Sequence, residues 1–274
     1  MTKTYGVIGN PIQQSKSPAM HNAAFKALGI DAIYKKFELQ ESELASFFDK
    51  IRKQEISGIS ITIPYKQKAF EFVDDVSSFA KKCGAINTVY FKDDKLIGDN
   101  TDGRGYLKSL LQETKFNIKD KNILLYGAGG ASRAILYSLL EQNPQSISIA
   151  NRTLAKAQNL CHYYKAHPAA TNLSLTSLSD KKVLANTDLF INTTSLGLLN
   201  KPWPDLSFVK NFKPGTLVSD IVYNPKETEL LLAAQQNNLA VHYGLGMLVQ
   251  QGAIAFELFT GKSPNVDLMF EAIT

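Results

Sequence analysis

The sequence predicts an α/β protein with parallel β-sheets, and three observations support this fold class. Short apolar runs alternate with amphipathic segments along most of the 274 residues, the order that places helices on both faces of a parallel sheet. A glycine-rich turn at residues 127–130 separates a strand pattern from a helix pattern. A second α/β alternation precedes that turn. We therefore expect two domains with a cleft between them.

The N-terminal half alternates strand and helix. Strands are predicted at residues 5–8, 32–39 and 58–63, and helices at 18–28, 42–53, 65–73 and 105–112. Residues 85–91 and 95–100 form a predicted hairpin that turns at Asp93-Asp94. The residues after 104 continue this alternation.

In the second half, strands are predicted at residues 122–126, 146–150, 189–192, 216–222 and 240–243. A helix follows the glycine turn, and others span 154–165 and 244–260. A further helix begins behind Pro225, a residue suited to the first helical position. We see no internal repeat.

Composition narrows the function classes. Hydrophobic residues make up 44% of the chain and charged residues 20%, which is typical of a globular protein. The net charge of +5 comes from scattered lysines, which suits an anionic small ligand better than nucleic acid. Neither a signal-peptide pattern nor a membrane-spanning run is evident. Cys83 and Cys161 have no metal-ligand spacing, so we expect a reduced, cytoplasmic protein without a metal.

The glycine turn has the context of a dinucleotide-binding motif of Rossmann type. Glycines permit a tight turn and a close approach of the backbone, and a pyrophosphate then binds the free N–H groups at the helix N-terminus. Ser132 stands where the third glycine of the usual pattern falls. An ordinary glycine-rich turn is the alternative interpretation.

The residues after the next strand bear on the choice of cofactor. NAD enzymes usually place an acidic residue there to bind the ribose hydroxyls, whereas this chain has Asn151-Arg152-Thr153. A guanidinium can bind a 2′-phosphate in a bidentate manner, and Lys156 adds a second cation one helical turn later. The pattern favours NADP over NAD, with a solvated basic helix start as the alternative.

Lys66 and Asp102 are candidate catalytic residues. Lys66 falls in the first turn of a predicted helix, where the macrodipole disfavours a cation, and such a broken local rule indicates a site. A surface lysine is the alternative. Asp102 precedes another predicted helix and could serve only as its N-cap.

Other polar residues are weaker candidates for binding. Ser17 could cap the helix that Pro18 begins, but Pro18 also favours an extended Ser17, which would point Ser15 and Ser17 the same way. Two hydroxyls on one side suit a carboxylate. Gln251 lies on an apolar helix stripe and needs a partner. His21 is interpreted as a packed or capping residue without a catalytic role.

In this order the motifs resemble the shikimate dehydrogenase family. The resemblance spans nearly the whole chain. It is carried by Gly9-Asn10-Pro11, Ser15-Lys16-Ser17-Pro18, His21-Asn22, residues 60–66 (SITIPYK), 84–88 (GAINT), 100–105 (NTDGRG), 127–131 (GAGGA), 151–153 (NRT), 192–197 (NTTSLG), Asp220-x-x-Tyr223 and 247–251 (MLVQQ). One departure is Ser60, where the family usually has asparagine.

The resemblance implies reversible, NADPH-dependent reduction of 3-dehydroshikimate to shikimate. It implies a substrate domain of residues 1–103 and 245–274 and a cofactor domain of residues 104–244. Lys66 and Asp102 would form the catalytic pair. Ser15, Ser17 and Tyr223 would bind the substrate carboxylate, and Thr62, Asn87 and Gln251 its ring hydroxyls. The cofactor would contact Gly127, Ala128, Gly129, Gly130, Ala131, Asn151, Arg152, Thr153, Lys156, Thr193, Ile221 and Gly244.

Two alternatives stay open at this point. One is a quinate/shikimate dehydrogenase with relaxed cofactor use, which Arg152 and Thr62 argue against. The other is a catalytically silent regulator that binds nucleotide and a shikimate-like effector, although such a protein could lose Lys66 or Asp102. The resemblance also leaves room for a homodimer.

Overall fold

The computed structural model describes residues 2–274. Two compact units make up the chain. The first unit comprises Met1–Gly105 and Leu248–Thr274, and the second comprises Tyr106–Met247. Their borders follow residues 105 and 247, against predicted borders after 103 and 244. That the substrate and cofactor domains have the predicted bounds stays a prediction.

The first unit is built on a six-stranded sheet in the order β2-β1-β3-β5-β6-β4. Its strands are β1 (Lys3–Gly9), β2 (Ala32–Glu38), β3 (Gly58–Ile61), β4 (Asp75–Val76), β5 (Thr88–Lys92) and β6 (Lys95–Asp99). Its helices include α1 (Ser17–Ala27), α2 (Leu44–Arg52), α3 (Ser78–Cys83) and α10 (Val266–Glu271). Two helices continue from one unit into the other along the chain, namely α4 (Asp102–Thr114) and α9 (Gly244–Thr260).

This sheet is mixed, so the prediction of purely parallel sheets is wrong for the first unit. Strand β5 runs antiparallel to both β3 and β6. The pair of β5 and β6 is the predicted hairpin, which is confirmed: Asp93 and Asp94 adopt φ angles of 50° and 57°. Two residues with positive φ form the tight turn that joins antiparallel strands.

The predicted helix at 65–73 is also wrong. Only Lys68–Glu71 forms a short 3₁₀ helix. Phe70, Phe72 and Val73 all pack against the apolar cluster that contains Phe48. Three such closely spaced side chains reach one core from an irregular path more readily than from a single helix stripe, so packing overrides local propensity here.

The second unit is a fully parallel six-stranded sheet in the order β12-β11-β10-β7-β8-β9. Its strands are β7 (Asn122–Tyr126), β8 (Ser146–Ala150), β9 (Leu173–Leu175), β10 (Leu189–Asn192), β11 (Leu217–Asp220) and β12 (Ala240–His242). Helices α5 (Gly130–Leu140), α6 (Leu154–Tyr163), α7 (Lys181–Asn186) and α8 (Glu229–Gln236) connect them. The chain proceeds outward from β7 in both directions, which makes the end of β7 a topological switch point.

Pro225 does not begin α8, contrary to the prediction. That helix starts at Glu229, and the Thr228 hydroxyl caps it by accepting from the N–H of Leu231. A threonine side chain satisfies a free N–H group of the first turn, which proline cannot do.

The described residues include neither a membrane-spanning helix nor a group of metal ligands. Across residues 2–274, no helix is long and apolar enough to cross a bilayer. In the same range, no three His, Cys, Asp or Glu side chains are grouped so that they could hold a metal ion.

Candidate active site

Lys66 and Asp102 form a buried ion pair in the first unit. The Lys66 Nζ lies 2.5 Å from Asp102 Oδ2, and the two side chains are only 13% and 6% exposed. Asp102 is the first residue of α4, and Lys66 lies in a turn after β3. The turn corrects the expectation that Lys66 sits in a helical first turn, so the macrodipole argument does not apply to it. The pair itself brings together two residues 36 positions apart.

The second oxygen of Asp102 is bound by Asn87. Its Nδ2 donates to Asp102 Oδ1 at 2.8 Å, while the Asp102 N–H donates to Asn100 Oδ1 at 2.9 Å. Both carboxylate oxygens thus accept from side chains, which the simple capping interpretation of Asp102 does not require. The carboxylate is fixed in orientation and holds the ammonium in one place.

Gln251 joins this network from α9. Its Oε1 accepts from Thr101 Oγ1 at 3.3 Å and, more weakly, from Asn87 Nδ2 at 3.5 Å. Its Nε2 donates to the carbonyl of Leu248 at 2.7 Å. Gly105 permits the approach, because a Cβ at this position would lie 2.5 Å from the backbone nitrogen of Gln251. The amide on the predicted apolar stripe therefore has protein partners.

Thr62 follows β3 in the same unit and is half-buried. Its N–H donates to the carbonyl of Ile8 at 2.9 Å. Gly9 makes room for it, since a Cβ on Gly9 would lie 2.5 Å from Thr62 Cγ2. Ser60, the residue that departs from the family pattern, lies in β3 opposite Thr88 of β5.

Ser15 and Ser17 are placed differently from the prediction. Ser17 is the first residue of α1, and Lys16 precedes the helix with φ −88° and ψ −3°. Ser17 is thus neither extended nor the N-cap, because it already lies in the helix and Lys16 is the N-cap residue. The Ser17 N–H donates to Ser15 Oγ at 3.3 Å, and Lys16 Nζ donates to the carbonyl of Ile273 at 2.6 Å. The two serines are neighbours, with Lys16 held by the C-terminal segment.

His21 is fully buried in α1 and stacks on Tyr34, with ring centroids 4.2 Å apart. Burial lowers the pKa of His21 to about 3. A neutral, packed imidazole agrees with the interpretation that gave His21 no catalytic role.

The glycine turn of the second unit is shaped by close contacts. Gly127 has φ +124°, and a Cβ there would lie 2.4 Å from Thr193 Oγ1. Only glycine fits this position. Thr193 Oγ1 in turn bonds the carbonyl of Tyr126 at 2.8 Å, so the residue after β10 supports the turn after β7.

Ser132 replaces the third glycine and contributes a hydrogen bond. Its Oγ accepts from the Gly129 N–H at 3.0 Å and lies 2.7 Å from Thr193 Oγ1. A Cβ on Gly129 would meet nothing within 4 Å. Ala128 in the turn is half-buried, as are Gly130 and Ala131, the first two residues of α5. An open helix start of this kind suits a pyrophosphate.

The residues after β8 carry exposed cations. Arg152 and Lys156 are both exposed, and Lys156 lies in the first turn of α6. Asn151 Nδ2 donates to the carbonyl of Thr153 at 2.8 Å, which closes the connecting turn. Two free cations at a helix start fit a bound anion such as a 2′-phosphate.

Ile221 and Gly244 are in contact in the second unit. A Cβ on Gly244 would lie 2.4 Å from the carbonyl oxygen of Ile221, and the Ile221 N–H donates to the carbonyl of Asn192 at 3.1 Å. Tyr223 follows two residues later and is half-buried. Its predicted role at the substrate carboxylate stays a prediction.

Sequence reasoning missed the polar group around Asp220. This buried carboxylate bonds Asn192, Thr228 and the backbone of Val222. A signal was present, because Asn192 and Asp220 each end an apolar strand with a polar residue.

The chain is similar to known proteins along its whole length. Residues 7–89 match the model of the shikimate dehydrogenase substrate binding domain, residues 109–199 that of shikimate / quinate 5-dehydrogenase, and residues 244–274 that of the shikimate 5'-dehydrogenase C-terminal domain. A Bacillus cereus shikimate dehydrogenase (NADP(+)) is 41% identical over 273 residues, covering 100% of this chain and 98% of the relative. The chain belongs to the shikimate dehydrogenase family.

Solved structures of the family agree in fold. A shikimate dehydrogenase crystallised in complex with NADP+ is 38% identical, with a TM-score of 0.90 over 99% of this chain and 94% of that one. The Thermus thermophilus shikimate 5-dehydrogenase in complex with NADP(H) and shikimate is 32% identical, with a TM-score of 0.88 over 99% and 98%. The predicted α/β class, with a substrate-binding unit and a Rossmann-type unit, is confirmed, and the chain is an oxidoreductase of this family.

Proposed function

We propose that this chain catalyses the reversible reduction of 3-dehydroshikimate to shikimate with NADPH. The observation that carries the proposal is the buried contact of Lys66 Nζ with Asp102 Oδ2. An ammonium fixed by a carboxylate is a group that can donate a proton to a carbonyl oxygen and later recover it. The full-length similarity to shikimate dehydrogenases of the NADP type supports the same activity.

When bound, NADPH supplies the hydride. Lys66 donates its proton to the carbonyl oxygen that becomes the new hydroxyl, and in the reverse direction it accepts that proton. Asp102 keeps the ammonium in line and is itself held by Asn87. General acid catalysis of this kind contributes about 10²- to 10⁴-fold in rate.

The remaining residues bind the two ligands. Thr62, Asn87 and Gln251 would bond the ring hydroxyls, and Ser15, Ser17 and Tyr223 the carboxylate. The residues of the second unit fit the cofactor: the space beside Gly129 is open, since a Cβ there would meet nothing within 4 Å, and Arg152 offers an exposed guanidinium. We assign NADP on that basis. We also propose a cytoplasmic enzyme that is able to form a homodimer, and analytical ultracentrifugation of the purified chain tests its oligomeric state.

The test is an absorbance assay of the purified chain near the reduced-nicotinamide band at about 340 nm. Shikimate with NADP should give turnover, and NAD or quinate should give much lower kcat/KM. Arg152→Gln is the matched variant: it should lower kcat/KM with NADP and leave the value with NAD unchanged, because only NADP carries the 2′-phosphate.

Three results would contradict the proposal. Equal kcat/KM for shikimate and quinate, or for NADP and NAD, would favour the relaxed quinate/shikimate enzyme. Tight binding of both ligands without turnover would indicate the silent regulator.

A further inference from the structure

Asp220 is a buried carboxylate to which the proposed mechanism gives no task. It ends β11 and is fully buried. Its Oδ1 accepts from Asn192 Nδ2 at 2.9 Å and from the N–H of Val222 at 3.0 Å. Its Oδ2 accepts from Thr228 Oγ1 at 2.7 Å. Three donors therefore surround one carboxylate, and an ionised carboxylate accepts hydrogen bonds but has no proton to donate.

The donors of Asp220 belong to three separate segments. Asn192 ends β10, Val222 follows β11, and Thr228 caps α8. None of these donors carries a charge. The carboxylate therefore forms a fixed junction between segments, and not an ion pair that can exchange a proton.

The junction extends into the loop after β10. Asn192 Oδ1 accepts from the N–H of Thr194 at 3.0 Å, and Asn192 Nδ2 also donates to the carbonyl of Leu196 at 3.2 Å. Gly197, with φ +90°, approaches Thr228 so closely that a Cβ there would lie 3.2 Å from its Cγ2. Asp220 thus fixes the course of the chain from Asn192 to Gly197.

The same junction fixes the turn after β11. The bond to the Val222 N–H holds the residue that follows Ile221. On its other side, the Ile221 carbonyl packs against Gly244, which has no room for a Cβ. Ile221 is therefore held between Asp220 and the start of α9.

Sheet topology indicates which half of a dinucleotide these loops would meet. A pyrophosphate belongs at the glycine turn after β7, and the exposed Arg152 after β8 suits the phosphate of the adenosine half. Strands β10 and β11 lie on the opposite side of β7. A dinucleotide spans the switch point, so its other half, the nicotinamide riboside, extends over the ends of β10 and β11.

We propose that Asp220 is a positioning residue for the nicotinamide half of the cofactor, which it serves by holding the loops after β10 and β11 through Asn192, Val222 and Thr228. The proposal rests on the proposed function, namely the binding of NADPH. Asp220 touches no reacting atom. Its removal should misplace the nicotinamide and leave the adenosine half bound as before.

The test compares Asp220→Asn with Asp188→Asn. Asp188 precedes β10 at the opposite end of that strand from Asn192, where its carboxylate accepts from the Asn122 N–H at 2.8 Å and contacts Lys213 Nζ at 2.7 Å. Each variant replaces one carboxylate oxygen by an NH₂ group. Fluorescence titration gives Kd for NADPH, and calorimetry gives Kd for adenosine 2′,5′-bisphosphate, a fragment without nicotinamide.

For Asp220→Asn we expect the Kd of NADPH to rise by roughly ten- to hundredfold, the range for loss of a charged hydrogen-bond acceptor. The Kd of the bisphosphate should stay within about twofold, since the adenosine site is intact. Asp188→Asn should leave both constants unchanged. The pH profile of kcat should shift only in Asp220→Asn.

A second pair of variants keeps the proposal open to refutation if Asp220→Asn does not fold. Thr228→Val removes one donor to Asp220, and Thr228→Ser retains it. We expect a several-fold rise in the Kd of NADPH for valine only. Unchanged NADPH binding in both Asp220→Asn and Thr228→Val overturns the proposal, as does an equal loss of NADPH and bisphosphate. Failure of the unmodified enzyme to bind NADPH would instead refute the proposed function.

Discussion

Asp102 and Asp220 are both buried aspartates, but their partners differ in kind. Asp102 meets an ammonium at 2.5 Å and one amide. Asp220 meets an amide, a hydroxyl and a backbone N–H, all neutral. The difference agrees with the separate tasks proposed for them, proton transfer at Asp102 and the positioning of loops at Asp220.

The two environments have different consequences for charge. A carboxylate next to an ammonium gains Coulombic stabilisation that repays part of its desolvation, whereas one among neutral donors does not. Burial accordingly raises the pKa of Asp220 from its ordinary 3.8 to about 6, against the lowering effect of its three hydrogen bonds. The junction at Asp220 is therefore held at a cost in stability.

The largest expected effect comes from breaking the ion pair at Lys66. Lys66→Met removes the proton donor and keeps most of the side-chain volume. We expect kcat to fall by roughly 10²- to 10⁴-fold with a small change in KM. Steady-state kinetics with shikimate and NADP measure it, and a variant with near-normal kcat would remove Lys66 from the mechanism.

The next effect concerns how the contribution of Asp220 to the free energy of unfolding changes with pH. The native protein binds a proton at Asp220 with a pKa of about 6, and the unfolded chain binds it at the ordinary value. Between about pH 4 and pH 6 the native state therefore holds more protons, so this group adds stability as the pH falls. The free energy of unfolding of the unmodified protein minus that of Asp220→Asn should grow by about 2 kcal/mol from pH 7 to pH 4.

Urea titrations at several pH values measure that difference. His21, whose pKa burial lowers to about 3, acts in the opposite direction, but it is present in both proteins and cancels. A difference that stays constant with pH would show that Asp220 titrates as it does in the unfolded chain.

Asp102→Asn makes at the first carboxylate the same change that Asp220→Asn makes at the second. We expect kcat to fall by roughly ten- to hundredfold, since the ammonium loses its charged partner. The Kd of NADPH should stay the same. Loss of NADPH affinity in Asp102→Asn, as great as in Asp220→Asn, would mean that the two carboxylates do not have separate tasks.

The smallest effect is expected at Ser60. Ser60→Asn restores the residue usual in the family and enlarges a half-buried side chain in β3. We expect a change in the KM for shikimate of about threefold or less, because neither Lys66 nor Asp102 is touched. A tenfold change would show that this position supports the substrate loop.

The sequence predicted best where local pattern and packing agree. The bounds predicted for β7, β8, β10 and α9 are confirmed. Each of the three strands is a buried apolar run bounded by turn residues. Helix α9 begins at Gly244, which lies against the Ile221 carbonyl and has no room for a Cβ. The hairpin at Asp93-Asp94 belongs to the same class.

Prediction failed where distant residues decide the local structure. Lys66 lies in a turn because the aromatic residues after it pack on a core formed by other segments. Helix α8 is capped by Thr228 and does not begin behind Pro225. The Thr228 hydroxyl also donates a hydrogen bond to Asp220. The contact of Lys66 with Asp102 spans 36 positions, so only the family resemblance, and no local pattern, could pair them.

Gly105 shows how little tolerance the first unit has at one point. With a Cβ position 2.5 Å from the main chain of Gln251, even a methyl group would drive α4 and α9 apart. A saturation library at position 105, screened for turnover of shikimate with NADP, should return glycine alone. Gly105 thereby sets the distance between α4 and the part of α9 that carries Gln251, for which we propose a role in substrate binding.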